Sequence, residues 1–272
     1  MRGLAILLWA PLVLIVATIL GALVSLASQL PLAGLAEALA AEETRFAIAM
    51  SLRSSLIALV LALLLGLPTA WLLARRRFVG KAVVETVLDL PMVTPPLVAG
   101  IGLLLLLGRE APVGGALAGL GIEILFSPAG VILAQTYIAS SVVIRSARAA
   151  IGAVDPGYAA NAATLGLPPF WAASLVELPM AGRGLMAAAV LGWARALGEF
   201  GATLMLAGAT RMRTETLPMA VYLNIASGRT DIAIACALIL LALAFALLLA
   251  IRLLTADRPD PMTEAQHARP QA

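Results

Sequence analysis

One cysteine, Cys236, among 272 residues leaves no disulfide framework and no cysteine-based metal cluster to consider. The lone histidine, His267, stands in a polar tail, so neither a zinc site nor a histidine-containing triad has the residues it needs. The lone lysine, Lys81, is followed by Ala82 and has no glycine at phosphate-loop spacing, which excludes a P-loop for ATP. Charge is scarce too. Asp, Glu, Lys and Arg make up 12% of the chain against roughly 25% in an average soluble domain, while 62% of residues are hydrophobic. That balance excludes an ordinary soluble protein, and the abundance of Leu and Ala excludes a disordered one. We therefore assign no catalytic residue, metal ligand or cofactor, and nucleic acid is not an expected partner.

What is present is a series of charge-free runs. A helix needs about 20 apolar residues to cross a hydrocarbon core of about 30 Å. Residues 3–36, 54–74, 90–108, 124–144 and 232–251 are each long enough, and residues 184–210 form a sixth run interrupted only by Arg195 and Glu199. Continuous Leu and Ala runs argue against a β-barrel, whose strands alternate over about ten residues. The expected fold is an all-α membrane protein with six transmembrane helices.

Placing both termini in the cytoplasm puts eleven Lys and Arg inside and six outside, with Arg195 in the membrane. The cluster of Arg75, Arg76, Arg77 and Lys81 contributes most of that bias. The first run follows Arg2 and contains a small-residue stretch at Ser25-Leu26-Ala27, so it reads either as a secretory signal or as a retained helix. Its length exceeds the 7 to 15 residues of a signal core and favours retention.

The longest cytoplasmic stretch, residues 145–183, carries definite turn chemistry. Asp155-Pro156 reads as a helix start, because Asp can accept from free backbone N–H groups and Pro suits the first helical position. Gly166 supplies the stop. Pro168-Pro169 opens a second short helix carrying Phe170, Trp171, Leu175 and Leu178. The resulting hairpin is either an amphipathic connector resting on lipid headgroups or a docking surface for a partner protein.

Within it, Ala160-Asn161-Ala162, three residues, Gly166, nine residues and Val176-Glu177-Leu178-Pro179 resemble the cytoplasmic "EAA" loop of importer-type ABC permeases. That loop reads Glu-Ala-Ala, three residues, Gly, nine residues, Ile, any residue, Leu-Pro. The Glu and first Ala are replaced here by Ala160 and Asn161. The resemblance runs from about residue 46 to residue 251 and is most specific for the molybdate and tungstate branch. It is carried by residues 73–82 (LARRRFVGKA), 90–96 (LPMVTPP), 142–150 (VVIRSARAA) and 194–203 (ARALGEFGAT). In the last of these, Thr203 after Gly-Ala is typical of molybdate permeases and less so of sulfate permeases.

This resemblance implies a type I importer permease, with the architecture of molybdate and methionine permeases, in the cytoplasmic (inner) membrane. The implied partners are two copies of an ABC ATPase subunit, an external substrate-binding protein, a second copy of this chain, and membrane lipid. Ala160, Asn161, Ala162, Gly166, Val176, Leu178 and Pro179 would form the ATPase-coupling loop. The expected divisions are a first helix and outer loop over residues 1–45, a permease core over 46–254 with a coupling hairpin at 150–183, and a polar cytoplasmic tail over 255–272. The function implied is ATP-driven import of a tetrahedral oxyanion, molybdate or tungstate. Sulfate or thiosulfate is the alternative within the family, and an ion-driven secondary transporter the alternative outside it.

Candidates for the translocation path are Thr94, Arg195, Glu199 and Thr203. Pro91, Pro95 and Pro96 surround Thr94 and predict a break, either as a bend lining the path or as a helix whose first turn contains Pro95. Arg195 and Glu199 are four residues apart, on one face of a continuous helix, and each would cost about 2.5 to 3.5 kcal/mol facing lipid. They read as a buried pair fixing helix register, as anion-handling groups of the path, or as residues at the membrane edge.

Overall fold

The structure is a computed structural model that describes residues 2–29 and 32–255. His267 and all of the expected tail beyond Thr255 lie outside the described residues. Every regular element among the described residues is helical. The elements are α1 (Arg2–Ser28), α2 (Leu32–Ala40), α3 (Glu42–Arg75), α4 (Lys81–Val93), α5 (Pro96–Leu107), α6 (Pro112–Gly119) and α7 (Pro128–Gly152). They continue with α8 (Pro156–Thr164), α9 (Pro169–Ala172), a π-helical turn (Ala173–Glu177), α10 (Leu178–Met180), α11 (Gly182–Leu197), α12 (Gly201–Ala207), α13 (Leu217–Ala226) and α14 (Thr230–Thr255).

Four stretches are unbroken, long and apolar enough to cross a membrane: Trp9–Ser28 of α1, α3, α7 and Thr230–Ala250 of α14. Two bent pairs, α4 with α5 and the 169–180 arm with α11, raise the number to at most six if each is one span, and the second pair covers residues 169–197 rather than the expected run at 184–210. Helix α3 starts twelve residues before the run at 54–74, because Arg45 and Arg53 limit burial in hydrocarbon but are good helix formers. The run at 184–210 is not one helix. Helix α11 ends at Leu197 and α12 starts at Gly201, so Glu199 lies in a non-helical link and the expected common helical face with Arg195 is absent. The break has a packing reason: a Cβ on Gly201 would lie 2.9 Å from Pro96 Cβ and 2.9 Å from the Leu97 nitrogen.

The described chain packs as two compact units. The first comprises the chain up to Ser55, Pro96–Ala134 and Gly198–Leu243. In it α5 crosses α12 where side chains are smallest: a Cβ on Gly100 would fall 2.8 Å from Ala202 Cα. Such close backbone approach is how helices associate in lipid, where no hydrophobic drive separates helix from tail. The first turn of α13 is buried, Leu217 and Ala220 packing with Ala47 and Cys236, and Ser51 Oγ accepts the Leu217 N–H at 2.7 Å. The second unit comprises Leu56–Pro95, Gln135–Leu197 and the segment beginning at Ala244. Its core joins α3, α7 and α11 through Ala70, Ala147, Ile151, Val154, Ala181 and Ala188. Glycines again mark the crossings: a Cβ on Gly192 would meet Val143 Cγ2 at 2.5 Å, and one on Gly184 would meet Ala150 Cβ at 2.5 Å.

Candidate functional site

The hairpin follows α7 directly. Asp155 Oδ1 accepts the Gly157 N–H at 2.8 Å, Pro156 fills the first helical position, and α8 runs from there to Thr164. Gly166 adopts φ +86°, a left-handed conformation that a β-carbon disfavours. Its N–H reaches the Ala163 carbonyl at 3.0 Å and the Leu167 N–H reaches the Ala162 carbonyl at 3.1 Å, closing a Schellman stop.

The second arm is less regular than the sequence pattern suggests. It opens at Pro169, widens into the π-helical turn where the Leu178 N–H bonds to the Ala173 carbonyl, and returns to α-helix at Leu178. Pro179 explains the widening. It has no N–H to give, and its ring crowds the carbonyl four residues earlier in a regular helix. The arm then turns by 79° into α11.

The seven residues expected to form the ATPase-coupling loop are held on this frame. Ala162 is buried and anchors α8, while Ala160, Asn161, Gly166 and Pro179 are exposed. Val176 is half-buried, and Leu178 packs against the core around Ala70 and Ile151. Large apolar side chains stand out from the hairpin: Tyr158, Leu165, Phe170, Trp171 and Leu175 are all more than half exposed. Phe170 and Trp171 meet edge to face with centroids 5.4 Å apart. Large apolar side chains exposed together on one loop fit a surface that meets a partner protein or lipid.

One residue at the base of the hairpin was not singled out by the sequence. Glu177 occupies the free position of the Ile-any-Leu-Pro motif, yet it is 2% exposed. Its Oε2 accepts the Trp71 indole N–H at 2.6 Å and its Oε1 pairs with Arg75 Nε at 2.8 Å. Arg75 Nη2 in turn donates to the carbonyls of Ile151 and Val154, both at 2.9 Å, at the end of α7. These partners come from distant parts of the chain, so no local pattern announces them.

The path candidates divide by element. Thr94, half-buried, caps α4 in extended conformation with its N–H on the Leu90 carbonyl at 2.8 Å. Helix lies on both sides of it, and Pro96, not Pro95, takes the first position of α5. The sequence alternative of a helix beginning with Pro95 in its first turn is thereby replaced by an interruption between two helices. Arg195 is half-buried in the last turn of α11. Glu199 is buried, and its Oε1 accepts the Ala202 N–H at 2.9 Å, occupying one of the free donors at the start of α12. Thr203 is fully buried in α12, with no hydrogen-bond partner for its hydroxyl among the described residues.

The link from α12 to α13 is knotted by its own side chains. Thr214 Oγ1 donates to the Gly208 carbonyl at 3.0 Å and accepts from the Thr210 N–H at 3.1 Å. Glu215 is fully buried and its Oε2 accepts the Met212 N–H at 3.1 Å. Burial raises the Glu215 pKa above its ordinary 4.5; the bond from Met212 and the charge of Arg211 oppose that rise without cancelling it. Arg211 and Arg229 both pair with Glu43, at 2.7 and 2.5 Å.

Residues 62–258 match the sequence family described as "Binding-protein-dependent transport system inner membrane component". The molybdenum transport system permease protein ModB of Mycobacterium tuberculosis is 39% identical over 207 residues, covering 75% of this chain and 77% of that protein. The probable molybdenum ABC transporter permease protein of Haloferax volcanii is 37% identical over 257 residues, covering 93% and 90%. In three dimensions, the chain resembles one in the crystal structure of a bacterial ABC transporter involved in the import of the acidic polysaccharide alginate. The TM-score is 0.70 at 16% identity, over 95% of this chain and 96% of that one, a likeness of fold alone.

Proposed function

We propose, since this chain belongs to the family of binding-protein-dependent transport system inner membrane components, that it forms the membrane path for a tetrahedral oxyanion, molybdate or tungstate. The observation that carries the substrate class is the 37 to 39% identity, over most of both chains, to permeases named for molybdenum. Two chains pair in the inner membrane, both termini cytoplasmic, around a path that includes Thr94, Arg195, Glu199 and Thr203. Each hairpin seats one ABC ATPase subunit through its exposed apolar side chains and the loop from Ala160 to Pro179. An external binding protein delivers the anion, and the ATPase subunits supply the hydrolysis. The Thr203 hydroxyl, buried and unspent on protein, supports a donor role toward an anion.

A tagged chain purified from gently solubilised membranes tests this reading. It should bring an ABC ATPase and an external binding protein with it. The complex should hydrolyse ATP faster when the binding protein carries molybdate or tungstate than when it is offered sulfate. Recovery of the chain without an ATPase contradicts the permease reading, and stimulation by sulfate alone reassigns the substrate.

A further inference from the structure

The docking hairpin meets the rest of its unit at few polar points, and one of them is a buried carboxylate. Glu177 sits on the π-helical turn of the second arm and is 2% exposed. Its Oε2 accepts the indole N–H of Trp71, and its Oε1 forms an ion pair with Arg75 Nε at 2.8 Å, both partners belonging to α3. Arg75 spends its Nη2 on the carbonyls of Ile151 and Val154, which close the C-terminal end of α7 just before the hairpin begins. Side chains from two places in the sequence and backbone carbonyls from a third thus converge on one ion pair, at 2.6 to 2.9 Å throughout.

Charge accounting around the hairpin singles out the same residue. A cavity of about 280 Å³ lies between the two arms and the end of α3, and Ala160, Arg75 and Glu177 all line it. Ala160 holds the position at which the EAA motif carries its glutamate, so α8 presents only small apolar side chains there. Glu177, from the opposite arm, is the one acidic side chain among those lining the cavity. A buried carboxylate costs stability unless it is fully paired, and breaking such a pair strands the partner charge. Two apolar residues of matching size would hold the arm at lower cost if packing were the only need.

We propose that Glu177 is a positioning residue that ties the docking hairpin to the inner ends of α3 and α7, so that movement of the hairpin reaches those spans through the Glu177 and Arg75 pair. The inference rests on the reading of the hairpin as the ATPase seat. The carboxylate does not touch the ATPase or the anion. It makes the hairpin and the two spans move as one body, where loose apolar contacts would let the hairpin rock alone.

The test uses the complete importer in proteoliposomes, comprising permease, ATPase and binding protein, with molybdate uptake and ATP hydrolysis measured together. Glu177→Gln keeps the size and one acceptor but removes the charge; Arg75→Lys keeps a charge for Glu177 but cannot reproduce the forked donation to Ile151 and Val154. Both should retain the ATPase and continue hydrolysis, while molybdate moved per ATP falls about tenfold, the size of a typical coupling between sites. Glu177→Asp, which restores the charge, should recover the ratio to within about twofold of the unmodified protein, well inside that coupling range.

A merely structural role lowers assembly yield, hydrolysis and uptake together and leaves the ratio unchanged. An unchanged ratio in either Glu177→Gln or Arg75→Lys, or an Asp variant as poor as the Gln variant, overturns the proposal. If Glu177→Gln fails to assemble, the ratio in Arg75→Lys decides. Failure of the underlying reading looks different, because the unmodified chain then retains no ATPase or moves no molybdate.

Discussion

Buried polar residues in this chain mostly serve the backbone. Ser51 accepts the first free N–H of α13, Glu199 an early N–H of α12, and Glu215 the N–H of Met212, which sits at φ +56°. Glu215 carries a measurable consequence. Burial raises its pKa above 4.5 in the folded protein, so the native state binds this proton more tightly than the unfolded chain does. Its contribution to stability is then greatest below 4.5 and declines as pH rises from there through the raised native value. Thermal unfolding of the detergent-solubilised chain, scanned from about pH 4 to about pH 8, should show that decline, and Glu215→Gln should flatten it. A variant with the same slope as the unmodified protein removes Glu215 from the pH response. The charges that bear on this carboxyl are Arg211, Arg229 and Glu43, and the substitution leaves their mutual pairing in place.

Among elements, what was legible in the sequence is what local chemistry decides. Asp155-Pro156 and Gly166 mark α8 to within a residue at each end because a cap, a proline and a left-handed glycine act on their immediate neighbours. The π-helical turn was not legible, since Pro179 demands relief without dictating whether a kink, a break or a wider turn provides it. Nor was the interruption between α11 and α12. Gly201 presses on Pro96, a contact about a hundred residues apart in sequence, and periodicity sees no such neighbour. Glu177 was passed over for the same reason, its partners Trp71 and Arg75 being equally remote. At this scale, Gly166→Val is the sharpest test. A branched side chain at φ +86° costs at least about 1 to 2 kcal/mol, which falls on the Schellman stop and the exit angle of the second arm. The variant should insert into membranes at the normal level yet lose ATPase association, measured by co-purification. Undiminished association would remove the shape of the hairpin from the docking account.

At the scale of the molecule, the described residues form an all-helical type I importer permease fold. Its four unbroken apolar spans were readable from charge-free length, whereas the breaks in the remaining runs and the division of the described chain into two compact units were not. Between Trp9 and Ser28 no residue of α1 is buried within the chain. An apolar helix left bare by its own chain needs lipid or another chain around it, and a second copy and the bilayer are the occupants proposed here.

The central claim is ATP-driven passage of molybdate or tungstate through this chain, and uptake by proteoliposomes containing the assembled complex tests it most directly. With ATP on the side of the ATPase subunits and the loaded binding protein on the other, labelled molybdate or tungstate should accumulate against its gradient, and accumulation should stop when ATP is replaced by a non-hydrolysable analogue. Accumulation driven by an ion gradient without ATP, or ATP-driven uptake of sulfate with molybdate and tungstate excluded, would contradict the account.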